Sequence, residues 1–223
     1  VIDASRAIMT GEGDIMIAGG TESMTRAPFV MPKATEAFTR TNAVYDTTIG
    51  WRFTNPKLAK MYYPYSMGET AENVAKRYNI ARERQDEFAM HSQQKAKEAI
   101  LGGKFRNEIT AVEIISKKET IVFDVDEFPR LDTTLDKLAK LKPAFAKEGG
   151  TVTAGNSSGV NDGACAILLA SAEKADELGL TKRARIVSSA VAGVEPDCMG
   201  LGPIPASRKA LERAGLKLEQ IDL

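Results

Sequence analysis

The sequence predicts an α/β protein in which helices and strands alternate in packed layers. At both ends of the chain, apolar residues at helical spacing are followed by a glycine and then by a short apolar strand. The composition agrees, since 43% of the 223 residues are hydrophobic and 27% are charged, as in ordinary globular domains. No run approaches the ~18 apolar residues of a membrane-spanning helix.

Charge and cysteine content narrow the class of partner. Lys+Arg and Asp+Glu both number 30, so the net charge is zero, which argues against a nucleic-acid or anionic-membrane binder. The N-terminus lacks the charged start and apolar core of a signal peptide. The two cysteines, Cys165 and Cys198, lie in unlike contexts. We therefore expect no disulfide framework and a cytoplasmic protein.

The first third of the chain begins regularly and then becomes irregular. The spacing predicts a helix from Val1 that ends at Gly11, and a strand over Asp14–Ala18 that ends at Gly19-Gly20. Prolines and aromatic residues then crowd the stretch from about 28 to 65, where periodicity fades. Such a long loop-rich stretch predicts a functional segment or a partner surface.

Regular structure returns at Ser66, which with Glu69 forms an S-x-x-E capping box and opens a helix. The predicted elements after it alternate between the two types. They are a helix over Ala81–Leu101, strands over Glu108–Ile115 and Thr120–Val125, a helix over Thr133–Leu141, a β-branched strand at Thr151–Thr153, a buried strand over Ala164–Ala170, a helix over Ser171–Leu178, a strand over Arg185–Val191 and a helix over Pro205–Ala214. Both ends of the pattern interrupt an element, so we expect a fragment.

No set of residues has the spacing that is typical of a catalytic site. His91 lies in a polar stretch of a helix and is interpreted as a surface or satisfied side chain. Cys165 is expected in the core and inert, whereas Cys198 is expected to be more exposed, beside an acidic residue. The small-residue loop Ala154–Gly159 is either a ligand loop or an ordinary turn. The cluster Lys137, Lys140 and Lys142 either holds a phosphate or is a solvated helix face.

Several segments, in fixed order, resemble motifs of the thiolase family. They are Ile17–Met24 (IAGGTESM), Met67–Ala75 (MGETAENVA), Arg84–Ala89 (RQDEFA), Lys142–Phe145 (KPAF), Thr151–Asp162 (TVTAGNSSGVND) and Gly200–Ser207 (GLGPIPAS). The resemblance covers essentially the whole chain. It implies a thiolase fold, with αβαβα layers, mixed sheets and an inserted loop domain, of which this chain forms only a part.

The resemblance also implies a division of the chain. Residues 1–27 would belong to the N-terminal thiolase half, and 28–160 to the inserted loop domain for coenzyme A binding and tetramerisation. Residues 161–183 would return to the N-terminal half, and 184–223 would start the C-terminal half.

The activity implied is acyl transfer in fatty acid metabolism, namely Claisen condensation of acetyl-CoA or thiolytic cleavage of a 3-oxoacyl-CoA. The family's catalytic cysteines, its GHPxGxSG histidine and its NEAF asparagine have no counterpart here. We expect the nucleophile shortly before Val1 and the other motifs after Leu223. The chain is therefore expected to contain no catalytic residue and to be inactive alone.

The resemblance implies that several residues of this chain bind coenzyme A. Arg130 resembles the arginine that lies over the adenine. Ser158 matches the serine that meets a pantetheine amide, with Ala154 alongside. The apolar walls of the pantetheine tunnel match Phe145, Met67, Met199 and Leu58.

The resemblance also implies acyl-CoA and CoA as partners, a homotetramer or dimer, and no metal or redox cofactor. Gly50–Pro56 (GWRFTNP) is most similar to thiolases that cleave 3-oxoadipyl-CoA. Ser66 replaces a histidine of the acetoacetyl-CoA enzymes, which favours a different or bulkier acyl chain. The alternative function is a non-catalytic CoA-binding or scaffold paralogue.

Overall fold

The computed structural model describes all residues, 1–223. Its helices are α1 (Ile2–Met9), α2 (Pro56–Met61), α3 (Met67–Arg77), α4 (Arg82–Leu101), α5 (Leu135–Ala139), α6 (Ala172–Glu177) and α7 (Pro203–Ala214). Its strands are β1 (Ile15–Glu22), β2 (Phe29–Val30), β3 (Tyr45–Asp46), β4 (Val112–Ile115), β5 (Thr120–Phe123) and β6 (Gly163–Ala170). The chain forms two compact units: residues 1–70 with 160–223, and residues 71–159.

The first unit is organised by the antiparallel pair β1 and β6. Their register runs from Ile15 opposite Ala170 to Glu22 opposite Gly163. The predicted end of β1 at Gly19 is wrong, since the strand continues to Glu22. A Cβ at Gly19 would lie 2.6 Å from the Cys165 carbonyl oxygen. The glycine permits close backbone approach rather than ending the strand.

β6 lies where the apolar run predicts a strand, but the expectation that it is buried is wrong. Leu169 is buried, whereas Cys165, Ile167 and Leu168 are exposed. β1 and β6 form a sheet of only two strands. An apolar run specifies a strand that suits a core, but burial also requires a layer on each face.

The loop-rich stretch from 28 to 65 is confirmed as largely irregular, with only the short β2–β3 ladder and α2 in it. Two contacts made by aromatic side chains lie within this stretch. The rings of Tyr45 and Phe53 meet edge to face with centroids 5.4 Å apart. The Trp51 indole N–H donates to the Tyr65 carbonyl at 2.9 Å. These contacts give local order where the backbone forms few ladders.

The second unit contains most of α3, together with α4, α5 and the β4–β5 hairpin. The capping box at α3 is confirmed: the Ser66 backbone N–H donates to Glu69 Oε2 at 2.7 Å, and the Glu69 N–H donates to Ser66 Oγ at 3.4 Å. The helix predicted over Ala81–Leu101 is confirmed as α4. β4 and β5 are shorter than predicted, and their side chains are all exposed.

The strand predicted over Arg185–Val191 does not form. A strand needs a partner within hydrogen-bonding distance, and here helix α7 provides the contacts instead. Ser188 Oγ donates to the Ala210 carbonyl at 2.7 Å, and Arg213 Nη1 donates to the Ser189 carbonyl at 2.6 Å. α7 then ends at Gly215, whose φ of 66° is the left-handed C-cap conformation that favours glycine. None of the helices combines the length and the apolar character that crossing a bilayer requires.

Candidate functional site

The segment Thr151–Gly159 is held at its start by one carboxylate. Glu72 on α3 accepts hydrogen bonds from the Thr151 N–H at 2.9 Å, the Thr151 hydroxyl at 2.8 Å and the Val152 N–H at 2.8 Å. The Val152 carbonyl in turn accepts from the Ala144 N–H at 2.9 Å. The strand predicted at Thr151–Thr153 is wrong, because these backbone groups bond to a side chain and a loop rather than to a strand.

The amide of Asn156 folds the middle of this segment into a tight loop. Its Oδ1 accepts from the Thr153 N–H at 2.8 Å, and its Nδ2 donates to the Thr151 carbonyl at 3.0 Å. Thr153 is 0% exposed, and its hydroxyl accepts from the Gly155 N–H at 3.2 Å. Each buried polar group of the loop therefore has a partner, which favours a single loop conformation.

A buried ion pair on α4 supports the same loop. Asp86 is only 3% exposed. Its Oδ2 accepts from Arg82 Nε at 2.7 Å, and its Oδ1 accepts from Asn156 Nδ2 at 3.0 Å. Arg82 Nη2 also donates to the carbonyl oxygens of Leu138 at 2.6 Å and Leu141 at 3.2 Å. These additional bonds compensate the desolvation that burial of the charged pair requires.

Gly155 lets the loop lie directly on α5 and the residues that follow it. A Cβ at this position would lie 2.5 Å from Leu138 Cδ2 and 2.5 Å from Leu141 Cδ1. Any larger residue would push the loop away from the buried Leu138. The loop is thus fixed from one side by packing and from the other by hydrogen bonds.

The fixed loop presents two of the sequence-predicted ligand residues to solvent. Ala154 and Ser158 are exposed, on either side of Asn156. Phe145, next to the Ala144 that bonds to the loop, is also exposed. This arrangement can offer a hydroxyl, a small side chain and an aromatic face to a long thin ligand.

Arg130 lies in the same unit, and its backbone is held while its side chain is exposed. Its N–H donates to Gln93 Oε1 on α4 at 2.9 Å, and its carbonyl accepts from the Thr133 hydroxyl at 2.8 Å. A planar guanidinium on a fixed backbone is suited to stacking on a flat ring.

Leu58, Met67 and Met199 belong to the first unit. Asn55 fixes Leu58, because its side chain caps α2 by accepting from the Lys57 N–H at 2.9 Å and the Leu58 N–H at 3.3 Å. Met67 is the first residue of α3, and Met199 lies in the 3-10 turn Pro196–Leu201. All three are exposed. The seven predicted residues are therefore divided four and three between the two units.

The expectations for both cysteines are wrong. Cys165 is exposed on β6, while Cys198 is 1% exposed within its 3-10 turn. Apolar neighbours in sequence suggested burial for Cys165, and an adjacent acid suggested exposure for Cys198. Burial instead depends on which face each backbone turns inward, which these short patterns do not specify.

The lysine cluster favours the interpretation of a solvated face. Lys137 Nζ bonds to the Asp132 carboxylate and, at 2.9 Å, to the Asp132 carbonyl. The hydrogen bond and charge of Lys137 lower the pKa of Asp132 below its usual value. Lys137 therefore already has an anionic partner. His91 is exposed on α4, as expected. No group of three or more His, Cys, Asp or Glu side chains is arranged to hold a metal ion.

Sequence reasoning missed Glu72, Asp86 and Asn156 as the residues that shape the loop. All three lie inside the motifs that carry the family resemblance. The available signal was an acidic residue within each of two predicted helices. Nothing in that pattern identifies a partner 79 or 70 residues away, as found for Glu72 and Asp86.

Comparison with known proteins gives consistent matches along the chain. Residues 1–173 match the family model described as thiolase, N-terminal domain, and residues 180–223 match thiolase, C-terminal domain. The chain is 53% identical over 222 residues to a beta-ketoadipyl-CoA thiolase of Escherichia coli, covering 99% of this chain and 55% of that protein. It is 50% identical over 222 residues to an acetyl-CoA acetyltransferase of Chromobacterium violaceum, with the same coverage.

The fold agrees with these matches. The crystal structure of the Bacillus anthracis acetyl-CoA acetyltransferase superposes with a TM-score of 0.86 at 41% identity, covering 100% of this chain and 55% of that one. The chain thus spans about half the length of the relatives it matches. The predicted α/β thiolase fold, present in part, is confirmed. The chain belongs to the thiolase family.

Proposed function

We propose that the whole protein is a thiolase, which transfers an acyl group between acyl-CoA and CoA. The observation that carries this proposal is the 53% identity, over 99% of the chain, to a protein named beta-ketoadipyl-CoA thiolase. The thiolase fold and the ordered loop at Thr151–Gly159 support it. Because the chain spans 55% of that relative, the activity is assigned to the whole protein, and these residues supply elements that bind CoA.

Within the proposed CoA site, Arg130 lies over the adenine ring and Ser158 meets an amide of the pantetheine arm, with Ala154 beside it. Phe145, Met67, Met199 and Leu58 contribute apolar walls. Their exposure is consistent with this role, because an apolar side chain that lines a ligand tunnel loses water contact only when the ligand is bound.

We further propose that the acyl group is a 3-oxo dicarboxylic chain such as 3-oxoadipyl. The relatives named for beta-ketoadipyl-CoA include proteins from Escherichia coli and Acinetobacter baylyi, at 53% and 52% identity. The segment Gly50–Pro56, which motivated the same substrate, contains Trp51, whose indole N–H donates to the Tyr65 carbonyl. Ser66, in the place of a histidine, is compatible with a longer acyl chain because it leaves more space.

Thiolytic cleavage breaks a C–C bond, moves the acyl group to a thiol and protonates the acetyl-CoA carbon that leaves, without an external oxidant or reductant. The proposed reaction therefore requires neither a redox cofactor nor a metal, and CoA is its cosubstrate. We also propose a cytoplasmic homotetramer or dimer. The exposed aromatic side chains of the stretch from 28 to 65, among them Phe29, Phe38 and Trp51, support a subunit contact there.

Thiolytic cleavage assays on the full-length protein test these proposals, with 3-oxoadipyl-CoA and acetoacetyl-CoA compared at fixed free CoA. We expect kcat/KM to favour 3-oxoadipyl-CoA by about tenfold or more. A preference for acetoacetyl-CoA would reject the substrate proposal, and no turnover of either would favour a non-catalytic paralogue. The 223-residue chain is the control, and we expect no turnover from it because neither Cys165 nor Cys198 lies in a catalytic motif of the family.

A further inference from the structure

Asp86 is the most buried carboxylate of the chain, at 3% exposure. Both of its oxygens accept hydrogen bonds. Oδ2 accepts from Arg82 Nε at 2.7 Å and Oδ1 accepts from Asn156 Nδ2 at 3.0 Å. A buried ion pair alone would need only the first bond. The second bond connects α4 to a loop 70 residues further along the chain.

Asn156, the partner in that second bond, lies in the middle of the loop. Asn156 lies two residues after Ala154 and two residues before Ser158. Its amide simultaneously holds the Thr153 N–H at 2.8 Å and the Thr151 carbonyl at 3.0 Å. An amide side chain can rotate about its last torsion, and the Asp86 carboxylate favours the orientation in which Oδ1 faces the Thr153 N–H, as the Thr151 carbonyl also does. Asp86 is therefore the partner outside the loop that orients the amide and anchors it to α4.

We propose that Asp86 is a positioning residue for ligand binding: through Asn156 it holds Ala154 and Ser158 in the conformation that receives the pantetheine arm of CoA. This inference rests on the proposed function of the loop. Asp86 is buried behind the loop, so it acts on affinity through the conformation of Ser158. Loss of its bond to Asn156 should loosen the part of the loop after Val152, while Glu72 still holds Thr151 and Val152.

Asp86→Asn in the full-length protein tests the proposal. An amide cannot accept at both positions, because its NH2 group must face either Arg82 Nε or Asn156 Nδ2, which are both donors. We expect CoA to bind about 10- to 150-fold more weakly, the range of one lost hydrogen bond to a charged group. Isothermal titration with CoA measures this. kcat at saturating CoA should change by less than about twofold, since the loop binds ground and transition states alike.

Hydrogen exchange distinguishes a local effect on the loop from a general loss of stability. Asp86→Asn should speed exchange within residues 151–159, while the amides of α4 and α5 keep their protection. Glu87→Gln is the matched control, since Glu87 is the exposed neighbour of Asp86 on the same helix, and it should change neither affinity nor exchange. The exchange experiment needs no ligand, so it tests the positioning role even if the wild-type protein fails to bind CoA and the proposed function is rejected.

Two further variants separate loop control from folding. Asn156→Ala leaves the Arg82–Asp86 pair intact and should weaken CoA binding as Asp86→Asn does, even if the latter folds poorly. The double variant Asp86→Asn with Asn156→Ala should bind CoA no more weakly than Asn156→Ala alone, because Asp86 acts through Asn156. Unchanged CoA affinity and unchanged loop exchange in Asn156→Ala would overturn the proposal. A double variant that binds CoA markedly more weakly than Asn156→Ala alone would also contradict it.

Discussion

In this chain, hydrogen bonds to single side chains connect segments that are far apart in sequence. In most α/β proteins, strand pairing makes such connections. Glu72 and Asp86 reach residues 79 and 70 positions away, and both bond to the same short loop. Arg130 is fixed differently, through its backbone, by Gln93 and Thr133. In each case a residue proposed to contact the ligand lies on or near backbone that another side chain holds, which would preorganise the proposed site.

At this scale we expect Arg130→Ala in the full-length protein to raise the KM for CoA by about 2- to 30-fold. A guanidinium stacked on adenine contributes roughly 0.5–2 kcal/mol, depending on how dry the contact is. kcat at saturation should stay nearly constant, because the adenine is remote from the reacting carbon. Steady-state kinetics against CoA measure both.

Arg130→Lys is the matched control, since it keeps the charge but loses the planar surface. It should retain only part of the affinity. If Arg130→Ala leaves KM unchanged, or lowers kcat alone, then Arg130 is a surface residue outside the binding site.

Element boundaries in this chain follow from caps and close approaches. α3 starts where Ser66 and Glu69 exchange hydrogen bonds, and α2 starts where Asn55 caps its first turn. β1 and β6 extend until Glu22 meets Gly163. Just beyond them, Asp162 accepts from the Thr25 N–H at 2.9 Å and from the Thr25 hydroxyl at 2.6 Å. Polar side chains thus terminate both types of element.

The two hydrogen bonds of the α3 capping box should contribute unequally to the free energy of unfolding. The bond from the Ser66 N–H to Glu69 is 2.7 Å long, whereas the bond from the Glu69 N–H to Ser66 is 3.4 Å. We expect Glu69→Ala to lower the free energy of unfolding by about 1 kcal/mol, and Ser66→Ala to lower it by less. Urea denaturation of the full-length protein measures both. The opposite order would show that the longer bond governs the helix start.

The contact between Asp162 and Thr25 should make stability depend on pH. The Thr25 hydroxyl, and then its N–H, lower the pKa of Asp162 below its ordinary value of 3.8. A carboxyl with a lowered pKa in the folded state stabilises fully above its unfolded pKa, and this contribution is lost as the pH falls through the folded pKa. Asp162→Asn should therefore lower Tm at about pH 7 and lower it much less below about pH 4. Tm values across this range check it, and a difference independent of pH would contradict it.

Apolar exposure is the main feature at the scale of the whole molecule. On the facing strands β1 and β6, the register partners Ile17 and Leu168 are 76% and 54% exposed. Large hydrophobic side chains are exposed on the β4–β5 hairpin as well, including Ile115 and Val122. Contiguous apolar surface of this kind marks a contact with other protein surface.

We expect the 223-residue chain, expressed alone, to associate at micromolar concentration, because its apolar sheet surface is in contact with water. Light scattering coupled to size exclusion measures the mass. The double variant Ile17→Thr with Leu168→Thr has β-branched residues suited to a strand at both positions, and it should associate less. A monodisperse wild-type monomer would show that the exposed strands do not drive association.

The sequence by itself determined the family, the α/β class and the local starts and ends of helices. Those properties depend on nearby residues: the S-x-x-E box predicts α3, and the predicted helix from Ala81 to Leu101 is confirmed as α4. It also selected the loop Ala154–Gly159 as a candidate site. The roles of Arg130, Ser158 and the apolar residues came from resemblance alone and stay predictions, as do the domain boundaries.

Only the tertiary structure decided which residues are buried and which hold the loop. Cys165 and Cys198 exchanged their expected environments, the strand at Arg185–Val191 was replaced by contacts with α7, and Asp86 became a buried partner of Asn156. The physical reason is that burial and strand pairing depend on partners distant in sequence. A local pattern specifies what a residue can do, but the chain's three-dimensional path decides which partner it meets.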